Sequence, residues 1–280
     1  MYGLLIYDDA GLSRNEWFID RLISYAKTRG EELRVTRASE LFFGSENGKL
    51  FFSFPDGISP DYAIVRTVFP LLSECLETYG VRVFNSSRVS RIANDKRAAH
   101  AFLAGLNIPS AKTFFTCAHT FDPALYQYPL ILKSAAGHGG NEVFYVENPK
   151  SAADAVEKIK GSDFLLQEIV DKGRDVRVYL LGEKILAAVE RTSRTDFRSN
   201  YSLGGDCALY EPNERMKEIV EAVRKALCPT FIGVDFTFRD GVPLLNEIED
   251  VVGARMLYKR TDLAVHELFF DEIMKEINGV

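Results

Sequence analysis

The sequence has little that marks an extracellular, membrane or DNA-binding protein. Its four cysteines, Cys75, Cys117, Cys207 and Cys228, are far apart and form no C-x-x-C, so neither a disulfide framework nor a zinc site is supported. Reduced thiols in the cytoplasm are the expectation. Positive charge is not in excess: 34 Lys and Arg stand against 40 Asp and Glu, a net charge of −6. No basic run exceeds a pair such as Lys259-Arg260, and the footprint a duplex nucleic acid needs is missing. No apolar stretch approaches the roughly 20 residues of a membrane helix. The opening Leu4-Leu5-Ile6-Tyr7 stops at Asp8-Asp9 without a basic leader and reads as a first buried strand, not a signal peptide. Repeats and low-complexity segments are absent, as are G-x-G-x-x-G and G-x-x-x-x-G-K-[ST]. His100, His119, His138 and His266 share no ligand spacing, and no nucleophile and base stand out as a pair.

What is present is an ordinary globular composition, 46% apolar and 26% charged over 280 residues, enough for about two domains. Apolar runs alternate with helical patterns. Strands are expected at 4–7, 62–65 and 81–84, with a helix at 70–79 between Pro70 and Gly80. A helix capped by Asn94 runs toward Pro109, followed by strands at 113–116, 130–133, 143–146 and 164–167 and a helix opening at Ser151. Strands at 176–181 and 184–190 precede a polar loop at 191–205. A helix at 212–227 carries Met216, Ile219, Val220, Val223 and Leu227 on one stripe. A hairpin at 231–238 and 242–248 and a terminal helix complete an α/β (α+β) chain.

The hairpin holds three carboxylates, Asp235, Glu247 and Glu249, inside apolar strands. A two-residue turn, Asp240-Gly241, would set Asp235 opposite Asn246 and turn Glu247 and Glu249 away. A three-residue turn, Arg239-Asp240-Gly241, would pair Phe238 with Val242 and put all three on one face. The three-residue turn is expected here. Two carboxylates 4 Å apart repel by ~4 kcal/mol at an effective dielectric of 20, which a divalent cation would relieve. Oxygen donors favour Mg²⁺ or Mn²⁺; the alternative is a solvated face or pairing with Arg177 and Arg255. On the same reasoning, alanine at Asp235 or Glu247 is expected to abolish turnover and leave the fold intact.

Other segments suit phosphate. Lys133 leads into Ser134-Ala135-Ala136-Gly137-His138-Gly139-Gly140, where glycines let backbone N–H groups close on an anion; a plain hairpin turn is the alternative. Lys96 opens a helix, where a cation is disfavoured unless an anion or Asp95 compensates. The loop around Arg191, Arg194 and Arg198 is dense in arginine for an acidic protein.

Taken in order, Phe84-Asn85-Ser86, Asn94-Asp95-Lys96, Ile131-Leu132-Lys133 with its glycine loop, Gln167-Glu168-Ile169, Asp175-Val176-Arg177, Asp196-Phe197-Arg198-Ser199-Asn200, Gly233-Val234-Asp235 and Asn246-Glu247-Ile248-Glu249 resemble the ATP-grasp superfamily, most of all its RimK-like amino-acid (alpha-L-glutamate) ligase branch. The resemblance implies an ATP-grasp fold of three domains, 1–90, 91–172 and 173–280, with ATP between the last two. It implies phosphate contacts from Lys96 and Lys133, a cover from Gly137, Gly139 and Gly140, an adenine edge at Glu168 and Ile169, and a further cofactor-binding residue at Gln167. Asp175 would reach the ribose. Arg198, with Ser199 and Asn200, would meet the transferring phosphate, Lys133 and Arg198 being catalytic. Asp235, Glu247 and Glu249 would hold two Mg²⁺ ions. Arg66 and Arg255 are candidates for a substrate carboxylate. The chain departs from the family in having Glu249 where Asn is usual. The implied activity is ATP-dependent carboxylate-amine ligation through an acylphosphate, adding an amino acid such as glutamate to a peptide, protein or small molecule. A kinase that stops at phosphorylation and an inactive ATP-binding sensor are the rivals. Relatives of this branch are often homo-oligomers.

Overall fold

The computed structural model describes residues 1–137, 142–192 and 206–279. The first part of the chain runs β1 (Tyr2–Tyr7), α1 (Asp9–Thr28), β2 (Glu32–Arg37), a hairpin of β3 (Phe42–Glu46) and β4 (Lys49–Ser53), β5 (Tyr62–Val65), α2 (Pro70–Tyr79) and β6 (Arg82–Phe84). β2, β1, β5 and β6 lie side by side in that order, all parallel. A parallel sheet is covered on both faces, so β1 is apolar throughout: Leu4 and Ile6 pack with Leu72 and Leu76 of α2, Leu5 and Tyr7 with Phe18 and Leu22 of α1. α2 keeps its expected bounds, opened by Pro70 and stopped by Gly80 at φ 105°.

Two short helices follow, α3 (Ser87–Ala93) and α4 (Lys96–Gly105). Asp95, not the expected Asn94, caps α4, accepting from the backbone N–H groups of Arg97 and Ala98. Asn94 instead ends α3 and donates to Asp250 at 3.1 Å.

The second sheet contains β7 (Thr113–Cys117), β8 (Leu130–Ser134), β9 (Val143–Val146) and, after α5 (Pro149–Val156), β10 (Asp163–Gln167). All pairings are antiparallel, in the order β7-β10-β8-β9. α5 starts earlier than expected because Asn148 and Ser151 form a capping box ahead of Pro149.

The third sheet is antiparallel, β13-β12-β11-β14-β15, built from β11 (Arg174–Leu181), β12 (Lys184–Thr192), β13 (Asp206–Tyr210), β14 (Phe231–Arg239) and β15 (Val242–Glu249), with α6 (Glu214–Leu227) inserted and α7 (Arg255–Arg260) and α8 (Val265–Asn278) closing the chain. The stripe of α6 packs on Val176, Val178, Leu180, Val234, Phe236, Leu245 and Ile248. Each such side chain contributes about 1.5–3 kcal/mol on burial. Strand alternation then leaves Asp175, Arg177, Asp235, Glu247 and Glu249 on the opposite face.

The turn of this hairpin corrects the expectation. Arg239 pairs with Val242, so the turn has two residues, Asp240 and Gly241, at φ 50° and 78°. Asp-Gly adopts this geometry readily, and its twist matches that of the strands. Asp235 nonetheless faces Glu247, with Gly233 facing Glu249, because the register shifts by one at Asn246. The bulge absorbs the residue that the turn does not, and it brings the three carboxylates to one face.

Candidate active site

That polar face forms one wall of a cleft of about 620 Å³, whose other walls are the second sheet and the loops after β1 and β5. The charged row is paired strand by strand. Arg177 donates through Nε and Nη2 to the two oxygens of Asp235, both at 2.7 Å, and Arg191 donates to the same carboxylate at 2.7 Å. Arg191 also grips both oxygens of Asp175, at 2.6 and 2.7 Å. Arg177 makes a further ion pair with Glu249. Such bidentate geometry is what a planar guanidinium supplies and an ammonium does not. Asp235 is 3% exposed. Burial pushes its carboxyl up, but Arg177 and Arg191 outweigh that and hold it below the usual carboxylate range. Gly233 makes room for this arrangement, since a Cβ there would lie 3.2 Å from Arg177 Cδ and 3.0 Å from Val252.

Facing this row are two lysines. Lys133, at the end of β8, donates to Gln167 Oε1 at 2.7 Å and to Asn246 Oδ1 at 3.2 Å. Its partner Asn246 is the bulge residue, so one irregularity serves both walls. Lys96, the first residue of α4, reaches Glu247 at 3.3 Å and the carbonyl of Gly137. The anion that offsets its place in the first helical turn is therefore Glu247 as well as the cap Asp95.

Other expected residues are placed as follows. Glu168 accepts from the backbone N–H of Lys112 and from Arg239, while its own N–H donates to Lys112 O at 2.9 Å. Its side chain thus fastens the segment between β10 and β11. Ile169 lines the cleft beside it. Gln167 is 3% exposed, lines the cleft and accepts from Lys133. Asp175, expected at a ribose, spends both oxygens on Arg191. Arg66 is buried, donates to Val252 O at 2.6 Å and has no hydrogen-bond partner for Nε among the described residues; Arg255, exposed, also lines the cleft. Gly139, Gly140, Arg198, Ser199 and Asn200 lie outside the described residues.

Residues 93–273 match the RimK-like ATP-grasp domain. This chain belongs to the RimK-like ATP-grasp family. It is 28% identical to a probable alpha-L-glutamate ligase 2 of Hahella chejuensis over 96% of each chain. It is 30% identical to a probable alpha-L-glutamate ligase of Xanthomonas euvesicatoria, over 86% of this chain and 88% of the relative. Its fold matches the crystal structure of a RimK domain ATP-grasp protein from Sphaerobacter thermophilus with a TM-score of 0.72 at 19% identity, covering 97% of this chain and 99% of that one. The protein is thus an enzyme of the ATP-grasp ligase class, and the ATP-grasp ligase PsnB, similar in fold with a TM-score of 0.69 at 18% identity, has been solved with Mg and ADP.

The donor set suits that ion in chemistry if not in readiness. Asp235 Oδ2 already accepts twice, leaving Oδ1 the freer oxygen, and Glu247 pairs with Lys96 at 3.3 Å. Burial pushes the Glu249 carboxyl up, Arg177 opposes this, and the nearby charges of Asp235 and Glu247 add to it. A divalent cation would relieve that crowding with oxygen ligands only. Among the described residues no three acidic, histidine or cysteine side chains form a ready cage, so binding the ion would draw these carboxylates together. In a RimK-like site built this way, Glu249→Asn is expected to keep turnover within about threefold, because Arg177 retains Asp235 and an amide oxygen still donates to the ion. Steady-state rates at saturating Mg²⁺ check it.

Arg177 was expected only as an alternative partner of the carboxylates, Arg191 only within an arginine-dense loop and Asn246 only within a string, and His100 was given no role. The signal for the first lay in parity, since Arg177 falls two residues from Asp175 on an otherwise apolar strand. Nothing in the sequence marks His100, which is 4% exposed on α4. Burial first, and then the charge of Lys133, push its ring down to about 4. The unfolded ring titrates near 6.5, so the folded protein binds fewer protons between these values. The resulting destabilisation, on the order of 3 kcal/mol, is absent above pH 6.5 and grows as pH falls toward 4. Comparing Tm against pH for the wild type and His100→Leu should show the variant's curve flatter in that window.

Proposed function

We propose that this enzyme joins a carboxylate to an amine in two steps. An oxygen of the substrate carboxylate attacks the γ-phosphorus of ATP, the bond to ADP breaks, and an acylphosphate forms. The amine nitrogen then attacks the acyl carbon, phosphate leaves, and the amide remains with loss of one proton. The observation that carries this reading is the opposition of Lys133 and Lys96 to the carboxylate row, with Lys133 on Asn246 at 3.2 Å and Lys96 on Glu247 at 3.3 Å. Anionic phosphates have cationic donors on one wall and candidate metal ligands on the other.

Lys96 and Lys133 would bind phosphate oxygens, with Gly137 and the following Gly139 and Gly140 above them. The backbone at Glu168 and Ile169 would take adenine. Asp175 acts in this reading through Arg191. Arg198, Ser199 and Asn200 keep the role implied by family position. Asp235, Glu247 and Glu249 would hold two Mg²⁺ ions, or Mn²⁺, which neutralise phosphate charge when bound. Positioning and charge do the work, and no protein nucleophile is needed. Arg66 and Arg255 would receive a substrate carboxylate: a buried guanidinium with an idle Nε–H is a costly donor until an anion takes it. The names of the relatives support glutamate as the amine.

The test is release of ADP and phosphate with Mg²⁺ and ATP across a panel of acids, amino acids and acidic peptides, with mass spectra of the products. An amide formed with one ADP per bond establishes the reading. A phosphorylated acceptor without amide overturns it in favour of a kinase, and nucleotide binding with no turnover on any pair favours a sensor.

A further inference from the structure

The protons around Lys133 can be assigned one after another. An ammonium only donates, so the Gln167 atom 2.7 Å from Lys133 Nζ is the carbonyl Oε1. Gln167 Nε2 then points the other way, to Thr113 Oγ1 at 3.1 Å and His100 Nε2 at 3.2 Å. Thr113 spends its own proton on Ala111 O at 2.8 Å, so its oxygen accepts. An amide nitrogen donates and does not accept, so His100 Nε2 is bare and the neutral ring carries its proton on Nδ1. That Nδ1 is buried and has no hydrogen-bond partner among the described residues.

An orphaned buried donor weakens a fold. A leucine at position 100 would fill the space without one, so stability does not account for this histidine. Its bare nitrogen does something leucine cannot. If Gln167 were free to turn over, its NH₂ would face the ammonium, donor against cation, and Lys133 would keep Asn246 as its anchor in place of two. With the amide locked, two of the three ammonium protons are held by protein and the third is available to an anion. His100 also stands four residues after Lys96 on α4, hence on the same helical face. One helix delivers one lysine directly and fixes the other at one remove.

We propose that His100 is a positioning residue for ATP: its unprotonated Nε2 orients the Gln167 amide so that Lys133 is held ready for phosphate. This rests on the reading of Lys133 as a phosphate ligand given above, and nothing in the ligase reading requires it.

The experiment has two arms. In wild-type protein labelled with ¹⁵N-histidine, His100 Nε2 should resonate at pH 7 as an unprotonated ring nitrogen and Nδ1 as a protonated one; the reverse tautomer overturns the proposal. In calorimetry with Mg²⁺, His100→Leu should bind a non-hydrolysable ATP analogue about tenfold more weakly, the worth of one hydrogen bond to a charged group, while binding adenosine as the wild type does. His100→Gln, whose carbonyl can accept from Gln167, should recover most of the loss. Unchanged analogue affinity in His100→Leu overturns the proposal, as does an equal loss for analogue and adenosine that His100→Gln does not restore. Should the leucine variant not fold, the tautomer and the glutamine variant decide. If Lys133→Met itself leaves analogue affinity intact, the phosphate reading is what fails, and the two failures are told apart.

Discussion

Asp235→Ala is expected to lower the free energy of unfolding by about 3–5 kcal/mol, a fall in Tm of roughly 10 °C, because it takes the shared carboxylate from two buried guanidiniums and leaves Arg177 with Glu249 and Arg191 with Asp175 alone. Asp235 accepts three hydrogen bonds from Arg177 and Arg191 and is 3% exposed. Repulsion among carboxylates suggested the opposite, that removing one would leave the fold intact. The arginines reverse the sign, since Asp235 is already ion-paired with both of them. Glu247→Gln is the contrasting case. Glu247 lies half-buried at the cleft wall with Lys96 at 3.3 Å, and a glutamine there still offers Lys96 an amide oxygen, so Tm should stay within about 2 °C. Its turnover should nonetheless fall by about 10²–10³, the usual loss when a charge-stabilising group leaves an active site. Thermal unfolding together with single-turnover rates separates the two variants. Equal Tm values for both would show that the arginines do not depend on Asp235.

Lys133→Met should have the largest effect on nucleotide. The half-buried ammonium, pushed down to about 8 mainly by burial with Glu247 opposing, is still charged at neutral pH. Losing a charge-assisted bond to phosphate costs about 1.5–3 kcal/mol, ten- to a hundredfold in ATP affinity. The same shift gives a pH signature. Protonated lysine is the binding form, so wild-type ATP affinity should be flat below pH 8 and weaken above it. In Lys133→Met that weakening should disappear. Isothermal titration at several pH values reads both, and an alkaline decline that persists in the variant would assign it to another group.

Much of the architecture was written in local patterns. Pro70 and Gly80 bound α2 where expected, and the 3.6-residue stripe of α6 met the apolar face of its sheet. Lys133 and the three carboxylates could be named from charges intruding on apolar strands, because an ion in such a strand has few explanations, and Lys96 from its place in the first turn of a helix. The expected hairpin turn was wrong, yet the shared carboxylate face was right. Local turn chemistry chose the short Asp-Gly turn, and a bulge four residues from the strand's end restored the parity.

Residue types and their spacing were sufficient for much of the order of strands and helices, though not for β2, the β3–β4 hairpin, α3, β13 or α7, and for the family and the list of ionisable groups suited to phosphate and metal, since each depends on periodicity and chemistry carried along the chain. The tertiary structure alone decided which of those charges are spent on one another. Arg177 and Arg191 come to Asp235 from strands 58 and 44 residues away in sequence, and His100 comes to Lys133 through Gln167, from 67 residues away, across two separate elements. Pairing of that kind depends on register and on which faces meet, and a linear pattern contains neither.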